Sequence, residues 1–163
     1  MPTSATGISI TLDGADFSNS AAALACAREN IERLKLGQKV KIEEADLFPV
    51  GRAGLVVCNP PWVPARPSSP IEHAVYDEGS RMLRGFLAGL AAHLEPAGEG
   101  WLILSDLAEH LGLRSREQLL GWIAEAGLKV LGREDIRPHH AKAADAGDTR
   151  AMMLIAELHY MDT

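Results

Sequence analysis

Residues 54–62 read Gly-Leu-Val-Val-Cys-Asn-Pro-Pro-Trp, and this stretch predicts a buried strand that ends in a rigid loop. Its first five residues form a short apolar run with β-branched side chains, which is typical of a strand inside an α/β sheet. Pro60 and Pro61 end the run, because proline donates no ladder hydrogen bond and restricts the residue before it. Asn59 is therefore expected at the carboxyl end of a strand, where open α/β sheets place ligands.

The side chains around the two prolines are suited to holding a planar group that carries N–H. The Asn59 amide offers one oxygen acceptor and two N–H donors. The Pro60 carbonyl is left free to accept, and Trp62 adds a flat aromatic surface. The alternative interpretation needs no ligand: a strand is followed by a Pro-Pro turn, and Trp62 covers the core.

Length and composition indicate one globular domain over residues 1–163. The net charge of −6 argues against a broad nucleic-acid-binding face, although it leaves room for a local basic strip or a protein substrate. The sequence has no signal-peptide pattern and no apolar run of roughly 18 residues, so a cytoplasmic protein without a membrane segment is expected. Cys26 and Cys58 lie in apolar settings and are predicted to be small buried hydrophobes.

Strands and helices are predicted to alternate along the chain and to end in two successive strands, with a turn over 96–100. This order favours an α/β fold with a mostly parallel sheet and an antiparallel pair at one edge. The helices are expected from Ser20 to about Leu36, where Gly37 ends the first, and over about 79–94, 105–110 and 114–126. The strands are expected at 7–12, 39–45, 54–58, 101–104, 128–131 (extending towards 136) and 152–158.

The tetrapeptide Asn59-Pro60-Pro61-Trp62 resembles the Asn-Pro-Pro-aromatic motif of S-adenosylmethionine-dependent methyltransferases that methylate a planar nitrogen, such as adenine-N6, cytosine-N4, guanine-N2 or glutamine-N5. The resemblance implies a three-layer Rossmann-like sandwich that closes with an antiparallel C-terminal edge strand. It also implies that Asn59 and the Pro60 carbonyl hold the target amino group while Trp62 stacks on it. Pro61 is then expected beside the substrate.

Other segments resemble the same family in the expected order over roughly residues 18 to 136. Residues 41–48 resemble its third strand and the acid that ends it, which implies that Asp46 and the Leu47 amide bind the cofactor adenine. Asn59 is counted with both the catalytic and the cofactor-binding residues. Residues 74–79 resemble the step after the motif in glutamine methyltransferases, which implies a substrate contact by Asp77. Residues 94–101 resemble the turn before the family's fifth strand.

The sequence departs from the family in lacking its loop of the form Asp-x-Gly-x-Gly-x-Gly, and the nearest match is residues 12–16. Either Asp16 binds the cofactor ribose in a shifted turn, or no residue does. We therefore expect a domain that is incomplete at its N-terminus. Two hypotheses compete: a truncated enzyme whose loop lies upstream, and a degenerate domain without activity. A missing central strand would expose sheet edges, and this suggests homodimerisation across them.

The function that the resemblance implies is methyl transfer from S-adenosylmethionine to a planar amide or exocyclic amine of a protein or nucleic acid. The alternative is a non-catalytic binding or dimerisation module that keeps the fold. No metal site is predicted, because His139 and His140 are adjacent in sequence and no further ligand stands at a familiar spacing. The charge-rich residues 114–117 are predicted to form a solvated helix face.

Overall fold

The computed structural model describes residues 8–12, 20–66, 76–136 and 153–160, and the chain divides into two compact units, Met1–Val50 and Gly51–Thr163. The first unit contains β1 (Ile8–Leu12), α1 (Ser20–Arg33) and β2 (Val40–Glu44). The second contains β3 (Ala53–Cys58), α2 (Arg81–His93), β4 (Leu94–Leu104), α3 (Leu107–His110), α4 (Arg116–Glu125), β5 (Leu128–Ile136) and β6 (Met153–Tyr160).

In the first unit, β1 and β2 pair in parallel, and α1 connects them and contacts both. The helix was expected to reach about Leu36 and to end at Gly37, and this is wrong. It ends at Arg33, and the left-handed residue is Lys35 with a φ of 57°. The Lys35 N–H donates to the Glu32 carbonyl and the Leu36 N–H to the Ile31 carbonyl, each at 2.9 Å, which is the Schellman pattern of a helix end.

The second unit is built on a four-stranded sheet in the order β3-β4-β6-β5. β3 and β4 are parallel, whereas β6 runs antiparallel to both β4 and β5. The predicted antiparallel C-terminal strand is confirmed, but its position needs a correction: β6 lies between β4 and β5, and β5 is at the edge. Since β1–β2 is the other parallel pair, the described strand pairs are divided equally between parallel and antiparallel.

The turn predicted at residues 96–100 lies inside β4 rather than before it, which corrects that prediction. The register nevertheless breaks at this point, because Ala53 pairs with Leu94 and Leu55 pairs with Glu99. Extra residues on β4 therefore bulge between the two pairs, and Ala97 takes a positive φ of 62° there. The Pro96 segment bends the strand without ending it.

α2 packs its apolar stripe against β3 and β4, as its helical periodicity predicts. Gly100 of β4 allows the closest approach, because a Cβ at this position would clash with the Leu90 side chain. The buried side chains of this region are Leu83, Phe86, Leu87, Leu90, Leu94, Leu102 and Leu104.

Burial on β3 and α1 differs in part from the sequence prediction. β3 was expected to be buried, and this is wrong for Leu55 and Val57, which are 48% and 52% exposed. Cys58 is buried as expected, but Cys26 is exposed on α1, so its apolar sequence neighbours did not indicate burial. Within the described part of the chain, none of the helices is both long and apolar enough to cross a membrane.

Candidate functional site

The Asn59 and Trp62 side chains meet at the carboxyl end of β3. The Trp62 indole N–H donates a hydrogen bond to the Asn59 amide oxygen, with 3.1 Å between Nε1 and Oδ1. Asn59 is exposed and Trp62 is half-buried, so a polar amide and an aromatic ring border the same accessible surface. The sequence predicts that Asn59, Pro60 and Trp62 form a target clamp, a group of residues that holds a planar N–H group. The structure brings two of these residues, Asn59 and Trp62, into contact.

The backbone on both sides of this pair is held by buried neighbours. Pro60 is fully buried and Val63 is buried, and Val63 forms a parallel bridge with Tyr76. The Val63 carbonyl accepts from the Asp77 N–H at 2.8 Å. The loop is thus anchored to the segment that leads into α2, which favours one fixed position for the exposed Asn59 amide.

Asp77, predicted as a substrate contact, is buried and bonded to α2. Its carboxylate accepts from the N–H groups of Met82 at 3.1 Å and Leu83 at 3.2 Å, two of the donors that the start of a helix leaves unsatisfied. Ser80, the residue before α2, makes no side-chain cap and has a positive φ of 55°. The described contacts of Asp77 therefore support the helix that braces the loop.

Arg114 lies buried in the same region and was missed as a site residue. It was assigned to a solvated charged face, yet only 3% of its surface is exposed, and its Nε has no hydrogen-bond partner. Burial lowers the pKa of the Arg114 guanidinium, while the Glu109 and Asp77 carboxylates act in the opposite direction. A charge-rich sequence does not distinguish a buried arginine from an exposed one, because both occur beside acids.

Cys58, the residue before Asn59, is held as a neutral thiol. Burial, with a smaller contribution from the Asp77 carboxylate, raises its pKa from 9.0 to about 12. A thiol that stays protonated is a poor nucleophile and a poor metal ligand. The Cys58 sulfur is therefore a packing group.

Asp46 and Leu47, the predicted adenine-binding residues, form a tight turn after β2. The Phe48 N–H donates to the Asp46 carbonyl at 2.8 Å, and Leu47 between them has a φ of 67°. A positive φ is rare for a leucine, and such conformations cluster at ligand-binding sites. Asp46 is exposed and Leu47 half-buried.

The predicted site residues are thus distributed over both units. Asn59, Pro60, Pro61, Trp62 and Asp77 belong to the second unit, and Asp46 and Leu47 to the first. Asp16 lies outside the described residues, as do His139 and His140. The described ranges contain no cluster of three or more His, Cys, Asp or Glu side chains that could hold a metal.

Solved structures similar to this chain are methyltransferases. The glycopeptide N-methyltransferase MtfA complexed with S-adenosyl-L-methionine matches 96% of this chain and 82% of its own, with a TM-score of 0.60 and 16% identity. The N,N-8-amino-8-demethyl-D-riboflavin dimethyltransferase of Streptomyces davawensis matches 94% of this chain and 42% of its own, with a TM-score of 0.58 and 14% identity. The chain has the Rossmann-like fold of class I S-adenosylmethionine-dependent methyltransferases.

A curated relative agrees with this fold. The ribosomal RNA large subunit methyltransferase K/L of Pseudomonas paraeruginosa (strain DSM 24068 / PA7) is 28% identical over 141 residues. The match covers 77% of this chain and 18% of the relative, so the chain spans about a fifth of that protein's length. No family model matches the chain.

Proposed function

We propose that this chain is an S-adenosylmethionine-dependent N-methyltransferase that acts on a planar amide or exocyclic amine. The observation that carries the proposal is the Asn59–Trp62 pair, which stands at the carboxyl end of β3 in a fold shared with methyltransferases. An amide oxygen and an aromatic face are the groups needed to accept the target N–H and stack on the target plane.

The proposed mechanism depends on positioning. Asn59 and the Pro60 carbonyl would accept the N–H groups of the target, and Trp62 would stack on it, so that the target nitrogen faces the methyl group that S-adenosylmethionine supplies. The C–N bond would form as the C–S bond breaks, S-adenosylhomocysteine would leave, and the proton lost from the nitrogen would pass to water. Holding two reactants in line supplies much of the rate enhancement of such a transfer, and a strong general base is not required. The Cys58 thiol, which precedes Asn59 in sequence, agrees with a mechanism without a strong base, because its raised pKa keeps it neutral.

The cofactor is proposed to be S-adenosylmethionine, bound through the Asp46–Leu47 turn. Asp46 would accept from the adenine amino group, and the Leu47 amide would pair with the ring. The positive φ of Leu47 supports this assignment, because a strained backbone after a strand often marks a binding site. Asp16 remains the candidate for the ribose hydroxyls, and Pro61 for a substrate contact.

The first substrate to test is a base of large-subunit ribosomal RNA, because the curated relative carries that name. A glutamine side chain in a protein is the second, since residues 74–79 resemble glutamine methyltransferases. The net charge of −6 disfavours a substrate that needs a broad basic surface, such as long duplex DNA.

Calorimetric titration of S-adenosylmethionine and S-adenosylhomocysteine into the chain tests the proposal. Micromolar binding is expected, weakened about 10- to 100-fold by Asp46→Ala, because a hydrogen bond to a charged group is lost. Glu44→Ala is the matched control, since Glu44 is an exposed acid two residues away at the end of β2.

Absence of heat and of any thermal shift at millimolar cofactor would contradict the proposal. It would favour the alternative of a non-catalytic module, which rests on the missing Gly-rich loop in this sequence. Homodimerisation across exposed sheet edges is a separate hypothesis, and a light-scattering mass equal to one chain would exclude homodimerisation.

A further inference from the structure

The hydrogen bond between Trp62 and Asn59 restricts what the amide can present to a ligand. The indole Nε1–H is a donor only, whereas the Asn59 oxygen has two lone pairs and its nitrogen carries two donors. With 3.1 Å between Nε1 and Oδ1, one lone pair of the oxygen is already used. The second lone pair is left for another donor.

The same hydrogen bond also fixes the orientation of the Asn59 amide, with its oxygen towards the Trp62 indole. If the amide turned over, its NH₂ group would face the indole N–H, and two donors would meet with no acceptor between them. The hydrogen bond would be lost and both groups would need other partners. Because Pro60 is buried on one side of Asn59 and Val63 is buried just after Trp62, the backbone holds the two side chains within reach of each other.

We propose that Trp62 is a positioning residue whose indole N–H fixes the orientation of the Asn59 amide, so that Oδ1 offers its second lone pair to the target N–H. This rests on the proposed function. It gives Trp62 a role separate from stacking, since a phenyl ring also stacks but has no donor to hold the amide. A tryptophan at this position therefore orients the acceptor as well as covering the target.

The sharpest test removes the N–H and keeps the ring. Replacement of Trp62 by 3-benzothienylalanine exchanges the indole N–H for sulfur, and Trp62→Phe is the accessible approximation. With the 3-benzothienyl ring in place, kcat is expected to fall about five- to tenfold while KM and the cofactor Kd stay within twofold, because stacking is retained. Trp122→Phe is the control: Trp122 lies on α4, with Arg84 Cζ 5.4 Å from its ring centroid, and kcat should not change.

A second readout needs no turnover. Exchange of the Trp62 indole N–H with deuterium, followed by NMR, is expected to become about five- to tenfold faster in Asn59→Ala. The Trp101 indole, which donates to Glu99 Oε2 at 3.3 Å, serves as the internal reference and should not respond.

The outcomes separate this proposal from the proposed function. Two results would overturn the positioning role even if the enzyme is active. One is an unchanged kcat after loss of the indole N–H, and the other is an unchanged rate of Trp62 indole exchange in Asn59→Ala. A wild-type chain that binds no cofactor and transfers no methyl group overturns the proposed function, and with it the positioning role, whatever the exchange rates show.

Discussion

Two short loops follow parallel strands in this chain, and they are held in different ways. The turn after β2 contains a local hydrogen bond, from the Phe48 N–H to the Asp46 carbonyl across a left-handed Leu47. The loop after β3 is fixed by tertiary contacts: Pro60 is buried and Val63 pairs with Tyr76. The loop after β3 should therefore be sensitive to substitutions at the residues that it contacts elsewhere in the second unit.

This difference is consistent with the roles proposed for the two loops, which are adenine binding after β2 and positioning of the target nitrogen after β3. A backbone amide can recognise an adenine edge from a turn that three residues define. Positioning a target nitrogen requires side chains held from several directions, and the loop after β3 has that support from the start of α2. Substitutions at the start of α2 are thus expected to act on the target clamp through stability.

The largest expected effect is that of Asp77→Ala. It removes the carboxylate that caps α2 and leaves the buried Arg114 with less compensation, so the free energy of unfolding should fall by about 2–4 kcal/mol. Urea unfolding followed by tryptophan fluorescence measures this, because Trp62, Trp101 and Trp122 all belong to the second unit.

The neighbouring acid supplies the control for Asp77. Glu78 forms an exposed ion pair with Arg66, so Glu78→Ala should change stability by less than about 0.5 kcal/mol. Equal effects of the two substitutions would show that the start of α2 does not brace the loop.

Gly100→Ala should have the next largest effect, since the added Cβ would meet the Leu90 side chain between β4 and α2. The expected loss is about 1–3 kcal/mol in the same unfolding measurement. Gly121→Ala on α4 is the matched control, because a Cβ there meets nothing within 4 Å and alanine is the better helix former. It should raise stability by about 0.5–1 kcal/mol. A neutral Gly100→Ala would contradict the close packing beneath the clamp.

Cys58 predicts a pH effect confined to the second unit. Its pKa is raised from 9.0 to about 12, so the folded chain keeps the proton where the unfolded chain loses it. Stability from this group is complete below pH 9 and should fall by about 1.4 kcal/mol per pH unit above it. Comparing wild type with Cys58→Ala at pH 8 and pH 10 isolates the effect. Cys26→Ala should retain the wild-type slope, since Cys26 is exposed, and a Cys58→Ala slope equal to wild type would refute burial of the thiol.

The smallest predicted effect concerns the end of α1 in the first unit. Lys35 has a positive φ, so Lys35→Gly should raise stability by about 1 kcal/mol, measured by far-UV circular dichroism in urea. Gly37→Ala should not destabilise, because a Cβ there meets nothing within 4 Å. The reverse pattern would place the helix end at Gly37, as the sequence alone predicted.

Local patterns in the sequence predicted the elements well, and pairing between distant strands explains the errors in the sheet. The helical stripe of α2 reflects burial on one face, which is visible in the sequence. The apolar run before Asn59 predicted the strand correctly but not its burial, since Leu55 and Val57 are 48% and 52% exposed. The place of β6 between β4 and β5 depends on hydrogen bonds to strands distant in sequence, and no local pattern encodes that choice. The bulge around Ala97 arises likewise from the register with β3.

Some residues of the candidate region were likewise evident from the local sequence, and others were not. Asn59 and Trp62 were found because a four-residue motif contains both partners of the contact. Arg114 was missed because its neighbours in sequence are charged, which is typical of a solvated face, yet only 3% of its surface is exposed. The capping role of Asp77 was also hidden, since a loop aspartate before a helix has the same sequence whether it binds a ligand or the helix.

The measurement that tests the central claim most directly is transfer of a labelled methyl group from S-adenosylmethionine to unmethylated large-subunit ribosomal RNA and to a glutamine-containing peptide. The account predicts transfer to a planar nitrogen by the wild-type chain. It also predicts that the transfer rate falls about 100-fold in Asn59→Ala, because the target is no longer aligned. Cofactor binding without transfer to either acceptor, or transfer by Asn59→Ala at the wild-type rate, would contradict it.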